Sequence, residues 1–214
     1  VLLLQLWDEA ITRVRRTASG EEGELRLGYI GPPTEPFLGG LLREYRKRYP
    51  RVAIHLEERT PERVWEMVAR GRLSAAITRP VVAHEALGLR TAVLRDERLG
   101  IVVPTGHALA KRRDVPWSAL KHEPLIVLAR REGMSLHDAV IAGCRRAGVL
   151  PRLAHTPSLI GTVMSYIEAG AGIGVVTESV VPRTPDLRFV LLKPVQSVPL
   201  VLVWHEDQDA PPLQ

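Results

Sequence analysis

From residue 24 onward, short apolar blocks alternate with amphipathic stretches. "ELRLGYIG" is followed by residues 37–49, "VAIHLEE" by residues 60–69, and then comes "LSAAIT". The blocks are rich in β-branched residues and bounded by turn formers, which predicts strands, whereas the stretches between them repeat apolar residues at helical spacing. Thr60 ahead of Pro61 and Glu62 predicts a helix N-cap, and Gly71 predicts its stop. A second series runs from "ERLGIVVP" through "PLIVLA", a helix over 135–147, "PRLAH" and a helix over 158–169 to "GIGVVT". Strand–helix alternation of this kind predicts two parallel α/β halves. The run "VPLVLVW" (198–204) has no helix after it, so it is expected to return to the first half and make that half discontinuous. At the start, Leu2, Leu6, Glu9, Ile11 and Val14 share an amphipathic register, predicting a helix over 1–19 before the polar hinge "TASGEEG".

Gly170, Gly172 and Gly174 crowd into "YIEAGAGIGVVT" and raise the question of a phosphate-binding loop. Such a loop needs a strand entering the glycines and a helix leaving them, because the helix N-terminus supplies the amides and dipole that hold a pyrophosphate. The order here is reversed. Leu159, Val163, Tyr166 and Ile167 form a helix before the glycines, and a β-branched strand follows. The glycines are therefore expected to end a helix, with Gly170 as the stop, and to let it pack closely on the next strand.

A chain of 214 residues with 45% hydrophobic content can bury a core in one domain or in two small ones. No apolar run approaches the roughly 20 residues of a membrane span, and "VLLLQLW" is cut short by Asp8 and Glu9, so neither a span nor a signal peptide is expected. The single cysteine, Cys144, sits inside a predicted helix and reads as a packed thiol, in keeping with a cytoplasmic location. The formal charge of +5 is spread over "TRVRR", "REYRKRYPR", "AKRRD" and "CRR" without aromatic interleaving, which predicts solvated helix faces rather than an RNA-binding sheet. Since the chain opens in mid-helix at Val1, a preceding N-terminal portion is expected.

Two α/β halves joined by crossing strands would set helix N-termini on both walls of a cleft, at the carboxyl ends of parallel strands where ligands usually sit. "GPPTEP" (31–36) and Thr60 are the candidates from the first half. Met134 and Ser135 opening one helix, and Thr156 and Ser158 opening another, are those from the second. Hydroxyls and amides at dipole-positive ends favour a carboxylate. Each hydroxyl alone could equally be a cap and nothing more.

The ordered set "GELRLGYIGP", "REYRKRYPRVAIHLEE", "GRLSAAITRP", "LRDERLGIVVPTGHALA" and "EAGAGIGVV" resembles the effector-binding domain of LysR-type transcriptional regulators over about residues 2–207. The resemblance implies an α/β, periplasmic-binding-protein-like (type 2) fold of two Rossmann-like subdomains joined by crossing strands. Residues 1–19 would be the linker helix, 24–96 plus 199–207 regulatory subdomain I, and 97–198 subdomain II. A winged helix-turn-helix would precede Val1 and lie outside this chain. Implied partners are a small organic acid effector, a second copy or more (homodimer or homotetramer), DNA through the missing domain, and RNA polymerase. No membrane, metal or cofactor is implied. "ITRP" and "LLRDERL"-like segments resemble the branch sensing benzoate, muconate or chlorocatechol products.

On that branch, the cleft serine falls at Pro32 and the cleft threonine at Pro61, which removes two hydroxyls and leaves Thr34 and Thr60 nearby. The implied cleft set is Pro32, Pro33, Thr34, Thr60, Pro61, Met134, Ser135, Leu136, Thr156, Ser158 and Val176. Arg79 and Arg95 fall on a secondary aromatic-acid pocket, with surface ion pairing to Glu85 or Asp96 as the alternative. Thr177 stands where many members have proline.

An extracytoplasmic solute-binding protein for a small organic anion would share the fold but would need an export signal and no linker helix. An enzyme is disfavoured, for the sequence holds no G-x-S-x-G elbow, no H-E-x-x-H and no P-loop. His84, His107, His137 and His155 show no ligand spacing.

Overall fold

The computed structural model describes residues 23–81, 88–180 and 184–206. The expected linker helix therefore lies outside the described residues. The chain divides into two compact units, Val1–Arg95 with Pro199–Gln214, and Asp96–Val198. Both boundaries fall inside strands, β4 (Leu89–Pro104) and β10 (Ser197–His205).

In the first unit, β1 (Gly23–Tyr29) lies between β2 (Val52–Glu58) and β3 (Ala75–Thr78), parallel to both. β10 returns antiparallel against β3, pairing Leu202 with Ile77, so the discontinuity expected from its missing helix is present. Helix α1 (Gly31–Arg48) follows β1 and α2 (Pro61–Ala69) follows β2. Strand alternation separates two cores. Leu27, Ile77, Leu202 and Trp204 pack with Leu38, Leu41 and Tyr45 of α1. Ala76, Val201 and Val203 pack with Val64, Trp65 and Val68 of α2.

Helix α1 begins six residues before the predicted start. "GPPTEP" looks like a loop, yet its first two prolines fall in the first turn, where amides have no intrahelical acceptor and proline removes no needed bond. Gly39 and Gly40 then lie mid-helix, and a Cβ at Gly39 would meet nothing within 4 Å. Gly39→Ala is thus expected to raise the unfolding free energy by about 0.5–1 kcal/mol, read as a shift of the urea midpoint at constant slope.

In the second unit, β4 pairs antiparallel with β8 (Ile173–Thr177) and β9 (Leu187–Lys193). Beyond β8 come β6 (Pro124–Ile126) and β7 (Arg152–His155), and β5 (Asp114–Pro116) lies parallel to β9. Helices α3 (Met134–Arg146) and α4 (Ile160–Glu168) cover the two cores. The glycine cluster does what its context predicts. Gly170 stops α4 at φ +74°, and a Cβ on Gly174 would come 2.5 Å from Ile167 Cδ1 and 3.2 Å from Val163 Cγ1, both on α4. Cys144 is fully buried and unbridged, and burial pushes its thiol pKa up.

Candidate functional site

At the carboxyl ends of β1, β2 and β3, the first unit brings together the start of α1, the start of α2 and Arg79. The Ile30 amide donates to Ile77 O (3.1 Å) and the Arg59 amide to Tyr29 O (3.1 Å), fixing the three strand exits relative to one another. Trp65 of α2 is buried and donates Nε1–H to Arg79 O at 2.7 Å, tying α2 to the exit of β3.

Donors are few at this end. Pro32 and Pro33 remove two first-turn amides of α1, and Pro61 removes one from α2. Thr34, expected as a hydroxyl donor to a ligand, is fully buried and donates to Ile30 O (2.8 Å) and Gly31 O (2.9 Å). Thr60 holds the N-cap position of α2 in extended backbone, but its hydroxyl makes no capping bond; Arg63 and Val64 instead donate to its carbonyl, each at 3.1 Å. The cap predicted at Thr60 is thus a backbone cap, which leaves the half-buried hydroxyl outside it.

Both arginines of the implied secondary pocket belong to this unit. Arg95 donates from a terminal guanidinium nitrogen to Pro33 O at 2.6 Å and lies 5.0 Å from the Phe37 ring centroid, a cation–π arrangement that clasps the first turn of α1. Arg79 is only 3% exposed, which corrects the alternative of a surface ion pair, since a charge this buried is not surface-screened. Its alternative partner Glu85 lies outside the described residues.

In the second unit, Gly133 is the N-cap of α3 and Leu159 that of α4, and neither offers a capping side chain. Ser135 lies inside the first turn of α3, and Ser158 precedes the cap of α4, so neither serine is the helix cap that was the alternative to ligand contact. The first i→i−4 bond of α3 runs from the His137 amide to Gly133 O (3.0 Å), which leaves the Ser135 and Leu136 amides ahead of the ladder. Neither helix carries an acid in its first turn. Arg130 holds Asp138 through Nε–Oδ1 (2.7 Å) and a second bond to Oδ2 (2.9 Å), and this pairing keeps the Asp138 carboxyl below its usual range.

Two residues of the implied cleft set, Leu136 and Val176, lie in the core. Leu136 is 3% exposed among Val140, Cys144 and Trp117, and Val176 is 1% exposed among Val102, Val163 and Ile167, because each falls on the inward face of its element. Met134 and Ser158 are half-buried and Thr156 is exposed. Thr177 is buried, its hydroxyl 3.2 Å from Ser179 Oγ. One polar residue at the first unit's strand ends had no place among the sequence candidates. Glu58 ends β2, and its carboxylate lies where a Cβ on Gly31 would stand.

Among the described residues no group of three or more His, Cys, Asp or Glu could hold a metal ion, and no helix is long and apolar enough to cross a membrane.

Parallel strands with helices on both faces and two returning strands define a type 2 periplasmic-binding-protein-like fold, the fold of LysR effector-binding domains. Residues 18–214 match the LysR substrate binding domain, and the chain belongs to that family. The transcriptional regulator AlsR of Bacillus subtilis is 31% identical over 171 residues, covering 80% of this chain and 56% of that protein. TfdS of Cupriavidus pinatubonensis, also a transcriptional regulator, is 28% identical over 214 residues, covering 99% of this chain and 72% of its own. These relatives are regulators and not enzymes. The effector binding domain of BenM with its effector benzoate superposes with a TM-score of 0.75 at 22% identity, over 86% of this chain and 84% of that one. Full-length CbnR complexed with its target DNA gives 0.74 at 25% identity, over 98% and 72%. The chain thus spans between about half and three quarters of the regulators it matches.

Proposed function

We propose that this chain is the effector-sensing part of a bacterial LysR-type transcriptional regulator. In this reading a small organic acid, aromatic or dicarboxylic, is the signal. A winged helix-turn-helix belonging to the same regulator carries the response to DNA and RNA polymerase in the cytoplasm, and the assembly is a homodimer or homotetramer. The observation that carries the reading is the family match over residues 18–214. The first turns of α3 and α4, which no side chain caps, supply its chemistry. Amides ahead of the helical ladder, with the positive end of the helix dipole behind them, give a carboxylate charge-assisted hydrogen bonds without a buried lysine. The proposed contacts are Thr60 with the prolines 32, 33 and 61 in the first unit, and Ser135, Met134, Thr156 and Ser158 in the second. A ligand shifts a conformational equilibrium only by its difference in affinity for the two states. A change in conformational population on binding is then the message passed to the DNA-binding part.

A thermal-shift screen of aromatic and dicarboxylic acids tests this. The true effector at 100 times its dissociation constant adds about 2.7 kcal/mol to the unfolding free energy. Thr60→Val and Ser135→Ala are each expected to weaken its binding by about 1–3 kcal/mol in calorimetry, because a ligand oxygen loses its donor. Unchanged affinity in both, with binding abolished by Arg79→Ala, would move the ligand to the arginine pocket.

A further inference from the structure

The residue that bears on effector class is Glu58. It is the last residue of β2, next to Tyr29 in the β1–β2 register. Its carboxylate lies over the start of α1, where an alanine at position 31 would place its Cβ on Oε1, and Oε2 accepts from the Tyr29 hydroxyl at 3.4 Å. A helix N-terminus is where an incoming anion would be welcomed. Here a carboxylate of the chain itself already stands there. Amides that could hold a second one are missing, because Pro32 and Pro33 carry no N–H and the Thr34 hydroxyl is spent on Ile30 O and Gly31 O. The next helix repeats the pattern, with Pro61 at its first position and Glu62 in its first turn. The cations nearest this end are otherwise engaged. Arg95 donates to Pro33 O, Arg59 pairs with Glu57 (2.8 Å), and Arg79 is buried.

We propose that Glu58 is a specificity-determining residue that turns a carboxylate away from the first unit, so that the group an effector presents to Thr60 and Glu58 is uncharged. A second carboxylate would meet a like charge and find almost no donors, and this unfavourable contact discriminates as effectively as an attractive one. The proposal rests on the organic-acid reading above and narrows it.

The test uses the full chain and two ligands of the same shape, 4-carbamoylbenzoate with one charge and terephthalate with two, beside benzoate as reference. In calorimetry the wild-type protein is expected to bind the monoanion at least about tenfold tighter than the dianion. In Glu58→Gln, with an unchanged melting temperature, the ratio should fall severalfold toward unity. Equal binding of the two by wild type, or the same ratio in the variant, would overturn the proposal while leaving the organic-acid reading intact. Failure of both larger acids where benzoate binds would also count against it, since shape would then exclude what charge was held to exclude. If none of the three binds, the organic-acid reading falls and the proposal with it. A ligand-free arm checks the geometry. Burial first, and then the Glu58 carboxylate, hold the Tyr29 phenol above its usual range, so Glu58→Gln should lower its ionisation point in an ultraviolet titration. No change there places Glu58 away from the strand end and removes the basis of the proposal.

Discussion

Trp65→Ala is expected to lower the unfolding free energy by about 3–5 kcal/mol, the range for emptying a large buried aromatic site. Trp65 is 2% exposed, packs with Val64, Val68 and the inward face of β3 and β10, and donates its indole N–H to Arg79 O at 2.7 Å. Two losses therefore add: apolar contacts on a helix of only nine residues, and a hydrogen bond to a backbone carbonyl at the exit of β3. Trp65→Phe separates them. It keeps most of the apolar contact and should cost about 1–3 kcal/mol, chiefly through the carbonyl left without its donor. Urea unfolding followed by circular dichroism measures both. If Trp65→Phe proves as stable as the wild type, the bond to Arg79 carries no net stability.

Gly172→Ala is expected to cost about 2–4 kcal/mol despite adding a single methyl group. Its φ of +153° is a conformation that L side chains rarely adopt, and a Cβ there would fall on the carbonyl oxygen of Pro124, which is backbone of β6 and cannot swing away. Gly174→Ala makes the contrasting case. Its Cβ would press on the far end of the Ile167 side chain, which can move, so a smaller loss is expected. The order Gly172→Ala, then Gly174→Ala, in falling melting-temperature shift is the check. The reverse order would mean that α4 packing, not the β6 backbone, limits this segment.

Strands whose burial pattern is simple were legible in the sequence. β2 was read residue for residue from "VAIHLEE", and the return of β10 to the first unit followed from the absence of any helix after it. The start of α1 was not, because prolines read as a loop unless one asks which helical amides need an acceptor. The caps failed for a related reason. Serine and threonine ahead of a helical pattern signal a cap statistically, but α3 and α4 begin from Gly133 and Leu159, neither of which offers a capping side chain. Leu136 and Val176 followed a family correspondence onto positions that this chain buries. Glu58 was passed over because an acid at a strand end looks like ordinary solvated charge. Only the closeness of its carboxylate to Gly31 gives the signal, and that closeness becomes visible once the β1–β2 register sets Glu58 beside Tyr29.

The passage of β4 and β10 through both units also sets an order of assembly during synthesis. The second unit is one uninterrupted stretch, Asp96–Val198, so all of it is made before the part of β10 that pairs with β3. The first unit is different, because β3 waits for β10, whose partner residues Val201 to Trp204 are made only after the whole of the second unit. At about 5–20 residues per second, the hundred-odd residues between them keep that edge of β3 bare for roughly 5–20 seconds. During that time, while the second unit is still being made, the first sheet carries an unpaired strand, which makes this edge the natural target for chaperones and for mispairing between neighbouring nascent chains.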